Sequence, residues 1–385
     1  MTPAARVQAA IEVLDRIGAG AAAEQALLGW SRGARYAGSK DRRAVRDHVF
    51  DVVRRWRSCA ELGGAETGRA RMIGLLRSQD ADLDAVFSGQ GHAPAPLTPD
   101  ERVTSDPPQG FAALDLPDWL GSMFEQSLGD QASNVARTLQ ERAPVFLRVN
   151  GLKSTRASAQ QQLRAEGIET TPVDVSPTAL RVDVGARAVA RSAAYLNGVV
   201  ELQDAASQAV VDALPLRAGM RVLDYCAGGG GKALAMAARL GAGPVEAHDI
   251  DPKRMTDLPA RAQRAAADVV QTRAPSGVYD LVLADAPCSG SGAWRRAPEG
   301  KWRLSESGLA ELCETQAEIL DTCAGLVAPG GILAYATCSV LNCENQDQAT
   351  AFVKRHPGWT VKSQKSFLPG ETGDGLFVAL IEAPI

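Results

Sequence analysis

From Gly219 onward the chain alternates short β-rich runs with helical stretches, and no other feature constrains its fold as strongly. The runs are "MRVLDYC", "PVEAHD", "DVVQT", "YDLVLAD", "GGILAYATC", "WTVKS" and "LFVALIE". Strands separated by helical crossovers form right-handed βαβ units, so a mostly parallel sheet with helices on both faces is expected. No long helical pattern separates the last two runs, which predicts an antiparallel hairpin at one edge of a seven-stranded α/β sheet.

A chain of 385 residues exceeds one average domain. Residues 1–90 read as all-helical: Val7, Ala10, Ile11, Leu14 and Ile17 recur at helical spacing behind Thr2-Pro3. A second helix opens near Ser39 and carries Val45, Val49, Val52, Val53 and Trp56 on one stripe. Residues 91–110, rich in Gly, Pro and polar side chains, read as a linker. Residues 111–200 form a small α+β module around "PVFLRVNGL" and "ALRVDVG", and residues 201–385 form the large sheet domain.

Composition excludes several classes. With 45% hydrophobic and 22% charged residues the chain has material for a core. It contains no apolar run long enough to span a membrane. Glu12 and Asp15 interrupt the segment where a secretory signal would need an apolar block, so a cytoplasmic location is expected. Seven scattered cysteines do not form a disulfide framework, and the absence of any C-x-x-C pair argues against a structural metal site. A net charge of −4 excludes indiscriminate coating of nucleic acid. The segment Arg32–Arg57 nevertheless holds nine Lys/Arg against three Asp, either a solvated helix face or an RNA-contacting patch.

Three stretches carry chemistry. The first strand of the sheet runs into "DYCAGGGGKALAMAA", where Gly228, Gly229, Gly230 and Gly231 let the backbone approach a ligand and the following helix offers free N–H groups. About twenty residues on, "EAHDID" places Asp249 where a carboxylate can accept the hydroxyls of a ribose. Adenosine binding follows. A nicotinamide or flavin enzyme fits Gly228, Gly230 and Ala233 formally, but only one nucleotide half is visible and no hydride-handling group is evident. S-adenosyl-L-methionine is therefore favoured. Cys226 and Ala233 stand where a nucleotide-hydrolysing P-loop needs Gly and Ser or Thr.

The other two stretches are "DLVLADAPCSGSG" and "ILAYATCSVLNCEN". In an open α/β sheet ligands bind at the carboxyl ends of the strands, where these runs deliver Asp285, Cys288 and Cys338. Either cysteine alone can be a small buried hydrophobe. Two of them beside a cofactor loop point to thiol chemistry. Cys313 and Cys323 read as helix core.

These stretches resemble the Sun/Nop/RsmB family of RNA cytosine-5 methyltransferases. The family pattern D-x-C-A-x-P-G-G-K corresponds to Asp224–Lys232, D-A-P-C-S-x-x-G to Asp285–Gly292, and Y-A-T-C-S-x-x-x-x-E-N to Tyr335–Asn345. "PVFLRVNGLK", "QDAASQ" (Gln203–Gln208) and "RRAPEGKW" (Arg295–Trp302) extend the resemblance over most of 111–385, and residues 1–90 are similar to the NusB-like RNA-binding domain of the bacterial 16S rRNA members.

The resemblance implies a class I Rossmann-like methyltransferase domain. Its cofactor S-adenosyl-L-methionine would be held by Cys226, Ala227, Gly228–Lys232, Asp249 and Asp285. Cys338 would be the nucleophile that adds to carbon 6 of cytosine, Asp285 would meet the ring nitrogen, and Cys288 would assist loss of the carbon 5 proton and enzyme release. Lys232 is the cation expected beside the thiolate. The implied partner is RNA, single-stranded or remodelled so that the base can leave its stack. A ribosomal particle is a further possible partner, and a monomer is expected. Arg295, Arg296, Lys301 and Trp302 could hold phosphates and stack on a base, or form a plain surface loop. Two positions depart from the family: Gly229 replaces its proline, and Gln271 and Thr272 stand where an acidic residue usually meets adenine. The competing readings are methylation of a protein or small molecule on the same fold, and a non-catalytic RNA-binding assembly factor.

Overall fold

Apolar alternation along each run decides which side chains face which layer. The computed structural model describes residues 1–103 and 106–385; residues 104 and 105 of the expected linker lie outside the described residues. A four-stranded antiparallel sheet comes first: β1 (Val145–Val149), β2 (Glu169–Pro172), β3 (Ala179–Val184) and β4 (Val200–Leu202), in the order β2-β3-β1-β4. The sequence signalled β1 and β3. β2 and β4 are too short and too polar to stand out.

The larger sheet contains β5 (Val222–Asp224), β6 (Val245–Ala247), β7 (Val269–Gln271), β8 (Tyr279–Asp285), β9 (Val327–Thr337), β10 (Thr360–Phe367) and β11 (Leu376–Glu382). Its order is β10-β11-β9-β8-β5-β6-β7, with β10 and β11 the antiparallel pair at one edge. The remaining strands run parallel. In β8, Leu281 and Leu283 join one core layer while Val282 and Ala284 join the other. This is the period-two pattern of a strand buried on both faces. Helices Ala205–Asp212, Gly231–Leu240 and Leu258–Ala265 cover the first face, packing Val210, Met236 and Leu258 into its core. Helices Glu306–Ala324 and Gln346–Arg355 cover the second with Leu320, Cys323 and Phe352. Burying each such large side chain contributes roughly 1.5–3 kcal/mol.

The order reverses beside β5, whose neighbours are β6 on one side and β8 on the other. Ligands bind such sheets in the crevice beyond the strand ends at this point. The register Asp224↔Leu283 and Asp285↔Ala336 brings the ends of β5, β8 and β9 to the same side.

Contacts divide the chain into residues 1–142 with 294–303, and residues 143–293 with 304–385. The first unit is helical. Thr2 accepts the Ala5 N–H and Pro3 opens helix Pro3–Gly18, whose Val7, Ala10, Ile11 and Leu14 are buried against Val45, Val49, Val52 and Val53 of helix Ser39–Arg54. Glu101, from the segment read as a linker, is paired with Arg69 at 2.6 Å.

Residues 294–303 correct one expectation. Lys301 has no exposed surface and donates to the Arg54 carbonyl at 2.9 Å, and Trp302 Nε1 donates to the Val53 carbonyl at 2.7 Å. Arg54 Nε returns a bond to the Arg295 carbonyl at 2.9 Å, and Arg295 is buried as well. Of the four side chains considered for RNA contact, Arg296 is exposed. The rest complete the packing of the helical unit.

Burial holds the Lys301 ammonium down to about 8 from an ordinary 10.5, against the opposing charge of Asp115. Between those values the unfolded chain keeps a proton that the folded chain has released, so this group's contribution to stability rises with pH there. The stability difference between the wild type and Lys301→Met should therefore grow in favour of the wild type from pH 8 to 10, by about 1–3 kcal/mol. Urea unfolding of the intact chain at several pH values measures it, and a pH-independent difference would contradict a buried ammonium.

Candidate active site

A cavity of about 700 Å³ opens at the carboxyl ends of β5, β6, β8 and β9. Cys226, Ala227, Gly228, Gly229 and Lys232 line it from the glycine loop, Asp249 from beyond β6, Asp285 from the end of β8, and Cys288 and Cys338 from the turns after β8 and β9. Gly230 and Gly231 are not among its lining residues. Gly230 caps helix Gly231–Leu240 with φ +77°, and the Gly231 carbonyl accepts from Arg148 at 2.7 Å. These two glycines shape the turn and leave the ligand-facing surface to their neighbours.

The loop is tied to β6 through a carboxylate. Gly228, at φ +52°, donates its N–H to Asp249 Oδ2 at 2.8 Å, and Asp251 N–H donates to Oδ1 at 3.0 Å. Arg254 Nη1 reaches Oδ2 at 3.0 Å, so the Asp249 carboxylate is part of an ion pair. Gly229, the departure from the family proline, is exposed, and its carbonyl accepts from Arg261. Burial pushes the Cys226 thiol well up, so it is a neutral wall of the cavity. Behind the cavity, burial and then the charge of Asp285 raise Asp224 to about 7.

The two thiols meet. Cys288 Sγ lies 3.4 Å from Cys338 Sγ, and both are free cysteines. The hydrogen bond from Cys288 lowers Cys338 below the ordinary thiol range despite its burial, with Lys232 helping and Asp285 opposing. The same contact pushes Cys288 up, and burial adds to that shift. The contact therefore favours the thiolate at Cys338 over the thiolate at Cys288. Lys232 Nζ sits 2.6 Å from Asp285 Oδ2. Burial opposes its charge, but the Asp285 carboxylate holds it above the ordinary lysine range. A lowered thiol beside a second thiol and a buried ammonium has the chemistry to act as a nucleophile.

The family description 16S rRNA methyltransferase RsmB/F matches residues 211–381, and an RsmF/B-like ferredoxin-like domain matches residues 116–189. Ribosomal RNA small subunit methyltransferase B of Yersinia pseudotuberculosis is 35% identical over 69% of this chain and 66% of its own length. The chain belongs to the RsmB/F family. It spans just under two thirds of that curated relative. The crystal structure of PH0851 superimposes with a TM-score of 0.76 at 24% identity, covering 99% of both chains. NSun6 from Pyrococcus horikoshii, crystallised with SFG, gives 0.62 at 16% identity over 69% of this chain and 98% of its own. Both share the fold.

The RsmB/F cavity has lining residues that the motifs do not announce. Helix Glu306–Ala324 contributes Thr315, Glu318, Ile319 and Thr322, and Asp204, Ser207, Asp374 and Leu376 line it as well. Helical residues spaced over two turns carry no local signature of a ligand, and Asp374 comes from a connection between edge strands. Gln271 is turned away to the Met255 carbonyl at 2.7 Å and does not line the cavity. Asp204 was legible inside "QDAASQ", though nothing local marked it as a cavity residue.

A Cβ at position 230 would meet Leu258 Cδ1 at 2.3 Å in a left-handed backbone, whereas one at 229 would meet the end of Arg261 at 3.3 Å. Gly230→Ala should therefore cost about 2–4 kcal/mol in urea unfolding, and Gly229→Ala less than about 1 kcal/mol. Equal losses would mean that the glycine loop does not have this shape.

Proposed function

We propose that the chain transfers a methyl group from S-adenosyl-L-methionine to carbon 5 of a cytidine in small-subunit ribosomal RNA, through a covalent bond to Cys338. The observation that carries this reading is the 3.4 Å approach of Cys338 and Cys288 beside the Lys232–Asp285 pair. The names of the relatives support an RNA substrate, and membership of the RsmB/F family supports methyl transfer.

The residues fit the cofactor. Ala227, Gly228 and Gly229 offer backbone at one wall, and Asp249 Oδ1 has an acceptor position beyond its bond from Asp251. Ile250, 94% exposed beside Asp249, presents an uncovered apolar face to a purine. When bound, S-adenosyl-L-methionine supplies an electrophilic methyl group on a sulfonium.

The chain's own groups account for the remaining steps. Cys338 thiolate adds to carbon 6 of the ring, which makes carbon 5 nucleophilic. The Lys232–Asp285 pair hydrogen-bonds the ring nitrogen and stabilises the charge developing there. Once Cys338 is bonded to carbon, Cys288 loses the negative neighbour that held its proton and releases that proton to solvent. The new Cys288 thiolate takes the proton from carbon 5, and the electron pair left behind expels Cys338 as thiolate. The base must reach the cavity out of its stack. We further assign RNA binding to the helical residues 1–90, whose segment Arg32–Arg57 is basic, and place the reaction in the cytoplasm.

With purified enzyme, labelled cofactor and unmodified small-subunit RNA, Cys338→Ala should reduce methyl incorporation to background while cofactor binding by calorimetry persists. Cys288→Ala should leave an RNA-dependent adduct that survives a denaturing gel. Incorporation by a folded Cys338→Ala variant, or methyl groups on any atom other than carbon 5, would overturn the assignment.

A further inference from the structure

Glu344 is an unusual residue to bury. Its side chain has no exposed surface, yet the donors it meets are all neutral. Oε1 accepts from the Ser289 N–H at 2.7 Å and from Gln316 Nε2 at 3.1 Å. Oε2 accepts from the Ser289 hydroxyl and from the Ser339 hydroxyl, the latter at 2.5 Å. A carboxylate has about four acceptor positions and no donor of its own, and here four donors fill them. Removing a carboxylate from water is costly without compensation, and bonds to a charged acceptor are the strong ones.

The identity of those donors gives the arrangement its meaning. Ser289 follows Cys288 directly in the turn after β8, and Ser339 follows Cys338 directly in the turn after β9. Neither turn is held to the other by sheet pairing this far along, because the register ends at Asp285↔Ala336. Ser291 Oγ lies 2.9 Å from Ser339 Oγ, and Gly292 N–H donates to the Cys338 carbonyl at 2.9 Å. Gln316 brings in helix Glu306–Ala324, since Nε2 also donates to the Pro287 carbonyl at 3.0 Å.

We propose that Glu344 is a positioning residue, whose buried carboxylate straps the Cys288 turn to the Cys338 turn and so sets the distance between the two thiols. This rests on the proposed roles of Cys338 and Cys288. Glu344 touches neither RNA nor cofactor in this scheme; it acts through Ser289 and Ser339. Separating the turns breaks the Cys288–Cys338 bond, and the thiolate loses its donor.

The sign of the effect separates positioning from a bland electrostatic or packing role. Glu344 is negative, and its charge opposes the Cys338 thiolate. Deleting only that charge would make Cys338 a stronger acid. Deleting the strap makes it weaker, because the Cys288 hydrogen bond is the largest influence favouring the thiolate.

The experiment is iodoacetamide alkylation of Cys338 across pH 6 to 10, read peptide by peptide in the mass spectrometer, on the intact chain without RNA. In Glu344→Gln the Cys338 profile should move to higher pH, with alkylation at pH 7 falling at least about threefold, the drop expected for half a unit. In turnover with RNA, kcat should fall while the KM for cofactor changes less than about twofold. Ser339→Ala and Ser289→Ala each remove part of the strap and should give smaller shifts in the same direction. They decide the matter if Glu344→Gln fails to fold. A Cys338 profile that moves to lower pH, or stays in place in the folded variants, overturns the proposal. Because alkylation needs no RNA, this outcome is distinct from failure of the methyltransferase reading, which shows as absence of any adduct with Cys288→Ala.

Discussion

The pairing of β8 with β9 is the constraint from which the rest follows. Their parallel register puts Asp285 opposite Ala336, so two segments far apart in sequence leave the sheet side by side and on the same side. A parallel sheet aligns strand ends by construction. Each strand ends in a turn carrying one cysteine, and the thiols come within 3.4 Å. β5 pairs on the other side of β8 and brings the glycine loop to the same edge. Cavity, loop and thiols are therefore consequences of one strand order.

Charge is organised around that edge in a graded way. The Lys232–Asp285 pair sits in the cavity wall, with Asp224 behind it raised to about 7 chiefly by burial. Cys338 is held below the ordinary thiol range by the Cys288 contact and, less strongly, by the Lys232 ammonium. Within this set, Lys232 and Asp285 offset each other at hydrogen-bond distance. A low-dielectric pocket makes such offsets strong and also makes their loss costly. The polar side chains flanking Cys338 belong to the same system: Thr337 meets Asn345 and Ser339 meets Glu344. An apolar strand ends on polar residues because its last turn is held by side chains where the ladder stops.

Much of the fold was legible because periodicity is local. Seven runs alternating with helices imply a mostly parallel sheet, and the short connection between the last two implies the edge hairpin. β2 and β4 escaped because strands of three or four residues with mixed polarity carry little pattern. The segment 294–303 was misread for a different reason. Arg295, Lys301 and Trp302 look like a basic, aromatic surface, but burial depends on which surfaces meet: Lys301 and Trp302 donate to backbone carbonyls of the helical unit, and the Arg295 carbonyl accepts from Arg54.

What the residues determined by themselves was the α/β class, the glycine turn, the residue types at the strand ends and the family. All of these are written in spacing along one dimension. Tertiary structure decided how far apart the thiols lie, that their contact lowers Cys338 and raises Cys288, that Gly230 and Gly231 shape the loop without lining the cavity, and that Glu344 bridges both cysteine turns. The reason is that distance, burial and the sharing of one carboxylate among four donors exist only once distant segments have packed against each other.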